Sequence, residues 1–93
     1  MRVRFTASAE ADLEGIGDRI AETDPERARL TIRGLRAAAR SIGGLPYGWS
    51  PVLTSRGVRK KSVRSFVLLY TVVDREVVIL RIAHERSDWV SLV

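Results

Sequence analysis

The sequence has 93 residues, 45% hydrophobic and 29% charged, which predicts one small globular domain spanning residues 1–93. It contains no cysteine, which excludes disulfides and thiolate metal sites. No uncharged apolar run approaches the ~18 residues of a membrane-spanning helix. We therefore expect a cytoplasmic protein without a membrane partner. The formal net charge of +5 favours an acidic protein or a nucleic acid as partner.

The first half of the chain is predicted to form a short strand and two helices. Arg2–Phe5 alternates polar and apolar residues, as a strand does. Apolar residues then recur every three or four positions, which predicts a first helix over residues 7–22. Asp24, before a proline, starts a second helix over residues 25–42, and Gly43 stops it. The arginines of this helix are interpreted as a solvated face: Arg27, Arg29, Arg33, Arg36 and Arg40.

The second half is predicted to be a loop followed by a β-meander. Proline and glycine punctuate residues 45–57, where Tyr47 and Trp49 either form a binding surface or fold back over the core. Short turns then join three predicted antiparallel strands, at residues 58–63, 66–73 and 77–83. We therefore expect an α+β fold of order β-α-α-β-β-β, with an antiparallel helix hairpin packed on a small, largely antiparallel sheet.

Most of the excess positive charge lies in the second half of the chain. Residues 46–93 hold eight basic and four acidic residues, whereas residues 1–45 hold eight and seven. This basic meander is suited to neutralising phosphates or binding a carboxylate-rich peptide, although basic residues on an edge strand also serve solubility alone. We favour partner binding, because the last predicted strand brings further bases back to the same sheet. The candidate binding residues are Arg59, Lys60, Lys61, Arg64, Arg81, His84, Arg86 and Trp89.

The residue constellations of common enzyme classes are missing. The chain has one histidine and neither a phosphate-cradling glycine motif nor a nucleophile elbow, so we expect no metal site and no cofactor. His84 is either a general acid or base or a hydrogen-bonded structural residue. Cleavage of RNA through its own 2′-hydroxyl stays open, because it needs only a base, an acid and cations around the scissile phosphate.

Several segments follow one another at a characteristic spacing along nearly the whole chain. They are Val3–Thr6, Ala9–Leu13, Asp24-Pro25, Gly57–Arg59, Phe66–Tyr70 and Val78–Trp89. In the order and spacing of these segments the sequence resembles the RelE/ParE superfamily of toxins from type II toxin–antitoxin systems. The resemblance implies the same α+β fold and a toxin that is neutralised by a cognate antitoxin.

The end of the chain distinguishes between branches of this superfamily. The last predicted strand runs into His84, followed by Arg86, Asp88 and Trp89, which resembles the ParE branch. RNA-cleaving relatives of the RelE kind place a tyrosine near this end, whereas this sequence has Trp89, which cannot exchange the required proton. The resemblance therefore implies a non-enzymatic toxin that inhibits DNA gyrase and binds an acidic or amphipathic antitoxin tail.

Two other functions stay open. One is a ribosome-dependent messenger-RNA endonuclease of the RelE kind, independent of metal, whose catalytic residues would be Lys60, Lys61, Arg81 and His84. The other is a non-toxic module of the same fold that only binds its antitoxin. Direct binding of nucleic acid is less favoured than binding of these protein partners.

Overall fold

Two helices pack on one face of a five-stranded sheet in the computed structural model, which describes residues 1–93. The strands are β1 (Arg2–Phe5), β2 (Ser50–Pro51), β3 (Val58–Val63), β4 (Phe66–Val73) and β5 (Glu76–His84). The helices are α1 (Ala7–Ala21) and α2 (Pro25–Ile42), and a 3-10 turn, Trp89–Leu92, follows the last strand. Neither helix is both long and apolar enough to cross a bilayer.

The strands lie in the order β1-β5-β4-β3-β2. β1 runs parallel to β5, and all other neighbours are antiparallel. The predicted α+β fold with the element order β-α-α-β-β-β is confirmed. The sequence did not predict β2, which pairs only Ser50 with Lys60 and Pro51 with Arg59. Two paired residues are too few to produce a periodic pattern, and proline is tolerated there because the strand lies at the sheet edge.

Capping side chains set where the helices begin. The Thr6 hydroxyl accepts the N–H of Ala9 at 3.0 Å at the start of α1. The Asp24 carboxylate accepts the N–H of Arg27 at 3.0 Å at the start of α2. Each contact satisfies a backbone donor that the first helical turn leaves free. The bounds of α2 are those predicted from the sequence, and α1 ends one residue earlier than predicted.

The main core lies between the helix hairpin and the sheet face that it covers, here called the inner face. Trp49, in the loop before β2, packs against this core, whereas Tyr47 is exposed. Burial of each large apolar side chain contributes roughly 1.5–3 kcal/mol relative to exposure. The buried residues of this core are Ala9, Leu13, Leu35, Ala39, Ile42, Leu68, Tyr70, Val77, Ile79 and Ile82.

A β-bulge in β5 decides which of its last side chains face the helices. Ile79 and Arg81 pair with consecutive residues of β4, so Leu80 between them has no partner. The alternation of faces is shifted by one residue beyond this point. Ile82 therefore returns to the inner face, and His84 follows it there two residues later.

The outer face of the sheet carries a second, smaller core. The chain turns back after β5 and lays Trp89, Leu92 and Val93 over this face. Because both faces are covered, β4 carries apolar residues on both sides. The buried residues of the outer core are Val52, Val58, Val67 and Leu69.

Candidate functional site

A groove opens between the helix hairpin and the turn that joins β3 to β4, next to the end of β5. It consists of two adjoining cavities of about 510 Å³ and about 330 Å³. Both cavities are lined by Ile20, Arg27, Ser65 and Phe66, so they form one continuous depression, which we call the hairpin groove. Cavities of this size are typical of ligand-binding sites.

The hairpin groove has an apolar floor and a basic rim. The floor consists of buried and half-buried side chains: Ile16, Ile20, Leu35, Phe66 and Ile82. The rim carries three exposed arginines from three different elements: Arg19 of α1, Arg27 of α2 and Arg64 of the β3–β4 turn. Residues far apart in the sequence thus place positive charge around one apolar depression.

These three rim arginines have no ion-pair partner within the chain. The ion pairs of the protein use other arginines: Arg4, Arg29, Arg36 and Arg81. The one acidic residue in the groove wall, Asp12, already accepts hydrogen bonds from Arg81 and from the N–H of Ile82. The groove therefore presents uncompensated positive charge above its apolar floor, which favours an anionic ligand with apolar side chains.

His84 lines the hairpin groove at the end of β5. Its ring packs edge-on against Phe66, with the ring centroids 5.6 Å apart. Its Nδ1 accepts the N–H of Arg86 at 3.2 Å, and its carbonyl accepts the hydroxyl of Ser87 at 2.6 Å. His84 is thus hydrogen-bonded at the strand end, while its Nε2 makes no hydrogen bond within the chain.

Two basic residues of β3 hold the preceding loop and the end of α2. Arg59 lies 5.4 Å from the ring centroid of Tyr47, and its Nη1 donates to the carbonyl of Trp49 at 2.7 Å. Lys61 Nζ lies 4.5 Å from the ring centroid of Trp49 and donates to Ser41 Oγ at 2.7 Å. Burial lowers the pKa of Lys61. Both cations therefore fasten the loop and the helix to the sheet.

Lys60 and Trp89 form a separate pair on the outer face. The Lys60 Nζ lies 5.0 Å from the indole ring centroid, within the range of a cation–π interaction. Lys60 points away from Arg59 and Lys61, because successive side chains of a strand alternate between its faces. The basic run of β3 is therefore divided between two faces and does not form one continuous surface.

Arg81 is held by Asp12. Its Nε and Nη2 donate to the two carboxylate oxygens at 2.8 Å and 3.0 Å. The side-chain hydrogen bond that Arg81 donates to Asp12 is the main reason why the pKa of Arg81 is raised. The positive charge of Arg81 is thereby compensated inside the fold.

The structure brings together only some of the eight binding residues predicted from the sequence. Arg64 and His84 both line the hairpin groove, and Arg86 follows His84 at an exposed position. The binding role of each residue stays a prediction. The other five lie outside the groove and are engaged by groups of the chain itself: Arg59, Lys60, Lys61, Arg81 and Trp89.

Two of the three rim arginines of the groove were not among the candidates from the sequence. Arg27 was interpreted as part of a solvated helix face, and Arg19 was not singled out. For Arg27 the one signal in the sequence is that no acidic residue follows it until Asp74, and no signal singles out Arg19. Their approach to Arg64 depends on how the helix hairpin packs on the sheet, which the sequence pattern does not specify.

Comparison with known proteins decides the family. A family model described as the ParE toxin of the type II toxin–antitoxin system, parDE, matches residues 3–89. The chain belongs to the ParE toxin family. The resemblance to the RelE/ParE superfamily, and to its ParE branch, is thereby confirmed. Among curated proteins, none matches this sequence.

Two solved structures resemble this ParE-family toxin over nearly its whole length. The chromosomal ParDE TA system from P. aeruginosa is 25% identical with a TM-score of 0.82, and the match covers 90% of this chain and 95% of that chain. The toxin–antitoxin complex RelBE2 from Mycobacterium tuberculosis is 26% identical with a TM-score of 0.66, and the match covers 89% of this chain and 95% of that chain. Of these two, the ParDE structure is the more similar in fold.

Proposed function

We propose that this ParE-family toxin acts in the cytoplasm by binding and inhibiting DNA gyrase, without catalysing a reaction, and that a cognate antitoxin neutralises it. The observation that carries the proposal concerns Lys60, Lys61 and Arg81, which an RNA-cleaving toxin would need around one phosphate. Each of them is engaged by a different group of the chain. Gyrase as the target follows from the ParE resemblance. The two similar structures are toxin–antitoxin systems, which supports an antitoxin as the second partner.

A ribonuclease would need its acid, its base and its cations around one phosphate. General acid–base transfer requires the groups within about 3 Å of the proton that they move, directly or through one water. Lys60 lies on the outer face against Trp89, whereas Lys61 is bound at the end of α2. Arg81 is paired with Asp12 of α1, which compensates its charge within the fold. The different contacts of these candidate catalytic residues support the proposal of a toxin that does not cleave RNA.

One observation favours the endonuclease of the RelE kind as a second candidate. The Nε2 of His84 is free and lies in the same groove as Arg19 and Arg27, so one base and two cations share a depression. The likeness to the RelBE2 complex is compatible with this alternative. The groove has no tyrosine, which leaves the second proton-transfer group unassigned.

Two reactions with the full chain separate the candidates. In the first, the toxin is added to gyrase that is supercoiling relaxed plasmid DNA; in the second, it is added to ribosomes translating a messenger RNA. We expect loss of supercoiling with intact message. Message cleavage with normal supercoiling would establish the RelE alternative instead. No effect in either reaction, together with normal growth on induction, would leave only the antitoxin-binding module.

A double substitution tests the predicted site at the end of β5. His84→Ala with Arg86→Ala should weaken gyrase inhibition, antitoxin binding or both, because it removes two polar groups beside the groove. The matched control is Arg33→Ala with Arg40→Ala, since both arginines are exposed on α2 and lie outside the hairpin groove. Unchanged toxicity and unchanged antitoxin affinity in the first variant would remove these residues from the site.

A further inference from the structure

We propose that the end of the sheet opposite the hairpin groove is the surface through which the toxin holds its target protein. This sheet end consists of the β4–β5 turn, the β2–β3 connection and the loop of residues 43–49 that follows α2. Its partner is a protein surface that presents apolar side chains among carboxylates. The inference deepens the proposed function and rests on it, because that function names DNA gyrase as the target.

Residues 43–49 cross the sheet end as a fixed loop. The carbonyl of Pro46 accepts the hydroxyl of Tyr70 of β4 at 2.7 Å. The Nη1 of Arg59 of β3 donates to the carbonyl of Trp49 at 2.7 Å. Two strands thus hold this loop in place, so the surface that it presents is formed before a partner binds. Fixed surfaces lower the entropy lost on binding.

Exposed apolar side chains concentrate at the sheet end. Tyr47 of the loop is 63% exposed, and Leu53 of the β2–β3 connection is 94% exposed. Single exposed apolar residues are normal on a protein surface, whereas a group of them marks an interaction site. Five of the seven large apolar side chains that are exposed in this chain belong to this end: Met1, Leu45, Tyr47, Leu53 and Val73. Their concentration at one end favours a binding surface.

Tyr47 borders a cleft of about 240 Å³ at the sheet end. The cleft is lined by residues of the loop and of three strands, among them Tyr47, Pro51, Gly57, Arg59, Thr71 and Val72. The guanidinium of Arg59 lies 5.4 Å from the ring centroid of Tyr47, and the hydroxyl of this tyrosine makes no hydrogen bond within the chain. Tyrosine and arginine are enriched among the residues that carry most of the energy of protein interfaces. The cleft is therefore the centre of the proposed contact.

The charge of the sheet end selects an acidic partner. Arg56 and Arg75 are exposed there and take part in no ion pair of the chain. Of the two acidic residues at this end, Asp74 and Glu76, the second is paired with Arg4. A second copy of the chain would bring like charges together, whereas a partner with carboxylates compensates them.

A protein fits the sheet end better than a nucleic acid does. Proteins that bind single strands use several aromatic rings on which successive bases stack, whereas Tyr47 is the only exposed aromatic ring at this end. The other exposed apolar side chains are aliphatic, and the phosphates of a duplex would leave them in water. Interfaces between proteins bury such side chains at their centre.

The sheet end and the hairpin groove are separate surfaces. Phe66 lines the groove, and Val72, six positions further along β4, lines the cleft beside Tyr47. A strand rises by about 3.3 Å per residue, so these two positions are roughly 20 Å apart. A partner at the sheet end therefore leaves the groove open.

The test uses the full chain, made by cell-free synthesis to avoid toxicity. Its affinity for purified gyrase is measured without DNA, and inhibition of supercoiling is measured with DNA. We expect Tyr47→Ala to weaken both by more than about tenfold, and the affinity of the parent chain to fall with rising salt. Val90→Ala removes an exposed apolar side chain outside the sheet end and should change both by less than about twofold.

Charge reversal then locates the contact without removing an apolar side chain. Arg56→Glu with Arg75→Glu should weaken gyrase binding by more than about tenfold, because like charges would face each other across the interface. Arg33→Glu with Arg40→Glu changes net charge equally on α2 and should change affinity by less than about twofold. Melting temperatures of all variants confirm that they fold.

Four results would overturn the proposal. They are unchanged gyrase binding by folded Tyr47→Ala, equal weakening by both charge reversals, binding of plasmid DNA alone that Tyr47→Ala abolishes, and a dimer in solution that Tyr47→Ala dissociates. Failure of the parent chain to inhibit gyrase would reject the proposed target together with this inference. Inhibition that Tyr47→Ala leaves intact would reject this inference alone.

Discussion

Asp12 and Arg81 form a two-point ion pair that joins the first half of α1 to the second half of β5, with N–O distances of 2.8 Å and 3.0 Å. The same carboxylate accepts the N–H of Ile82 at 2.9 Å. β1 pairs with β5 only as far as Phe5 and Ile79, so the later part of β5 has no neighbouring strand on that side. Asp12 supplies the acceptor that the missing strand would have supplied.

Asp12→Ala should therefore destabilise the fold more than loss of one surface ion pair. It leaves the guanidinium of Arg81 and the N–H of Ile82 without partners, at a cost of about 2 kcal/mol in the free energy of unfolding. Urea denaturation measures the difference. Glu14→Ala, on the same helix but without an ion pair, should change stability by less than about 0.5 kcal/mol. Equal effects in the two variants would show that the Asp12 contacts contribute nothing specific.

Arg75→Gly should stabilise the protein. Asp74 and Arg75 form the two-residue turn between β4 and β5 with φ values of 51° and 60°, as a type I′ turn requires. A left-handed conformation costs a non-glycine residue roughly 1–2 kcal/mol, and glycine avoids it at an entropic cost of roughly 0.5–1 kcal/mol. We expect a net gain of about 0.5 kcal/mol by urea denaturation. Arg56→Gly, at an exposed loop residue without positive φ, should give no gain, and an equal gain there would exclude this explanation.

The fold could be predicted closely because its elements carry periodic signals. The bounds of α2, β3 and β4 agree with the prediction residue for residue, since Asp24-Pro25 marks one start and alternating apolar residues mark the strands. The 3-10 turn at Trp89 has no such signal. The bulge at Leu80 could not be predicted from the alternation of polar and apolar residues, which assumes a regular strand. This bulge determines the face of the sheet on which His84 lies.

The site could be predicted only in part, because the environment of a charge depends on tertiary packing. The run of bases in β3 suggested one surface, but aromatic residues of the loop and of the chain end contact those bases one by one. Arg64 and His84 were found because they border a recognisable strand end. Arg19 and Arg27 border the groove because the helix hairpin packs beside the β3–β4 turn, and the sequence pattern does not specify this packing.

Trp89→Ala should expose the outer core. Trp89 is half-buried over Val58, Val67 and Leu69, and the hydrogen bonds of residues 88–93 are all local to that segment. We expect a loss of about 2 kcal/mol of stability, less than for a fully buried tryptophan, and increased binding of a hydrophobic dye. Val90→Ala in the same turn is the control, because Val90 faces solvent. Equal stability of the two variants would mean that Trp89 does not hold the turn on the sheet.

Tyr70 should make the stability of the protein fall in alkaline solution. Its phenol is buried in the inner core and donates to the carbonyl of Pro46 at 2.7 Å. Burial raises its pKa above the usual tyrosine value of 10.0, although the charge of Arg59 partly opposes this. Above pH 10.0 the unfolded chain therefore releases the phenolic proton before the folded chain does. The contribution of Tyr70 is complete below pH 10.0 and is lost as the pH rises through the raised pKa.

Comparison with Tyr70→Phe isolates this contribution. The variant loses the hydrogen bond to Pro46 and should be about 1 kcal/mol less stable than the parent at neutral pH. Above pH 10.0 the difference should shrink, because phenylalanine has no proton to release. Lys61, whose pKa is lowered, changes stability in the opposite direction in both proteins and cancels in the difference. Tyr47→Phe, at the exposed tyrosine, should keep the parent pH profile, and a Tyr70→Phe difference that stays constant across this pH range would contradict the raised pKa.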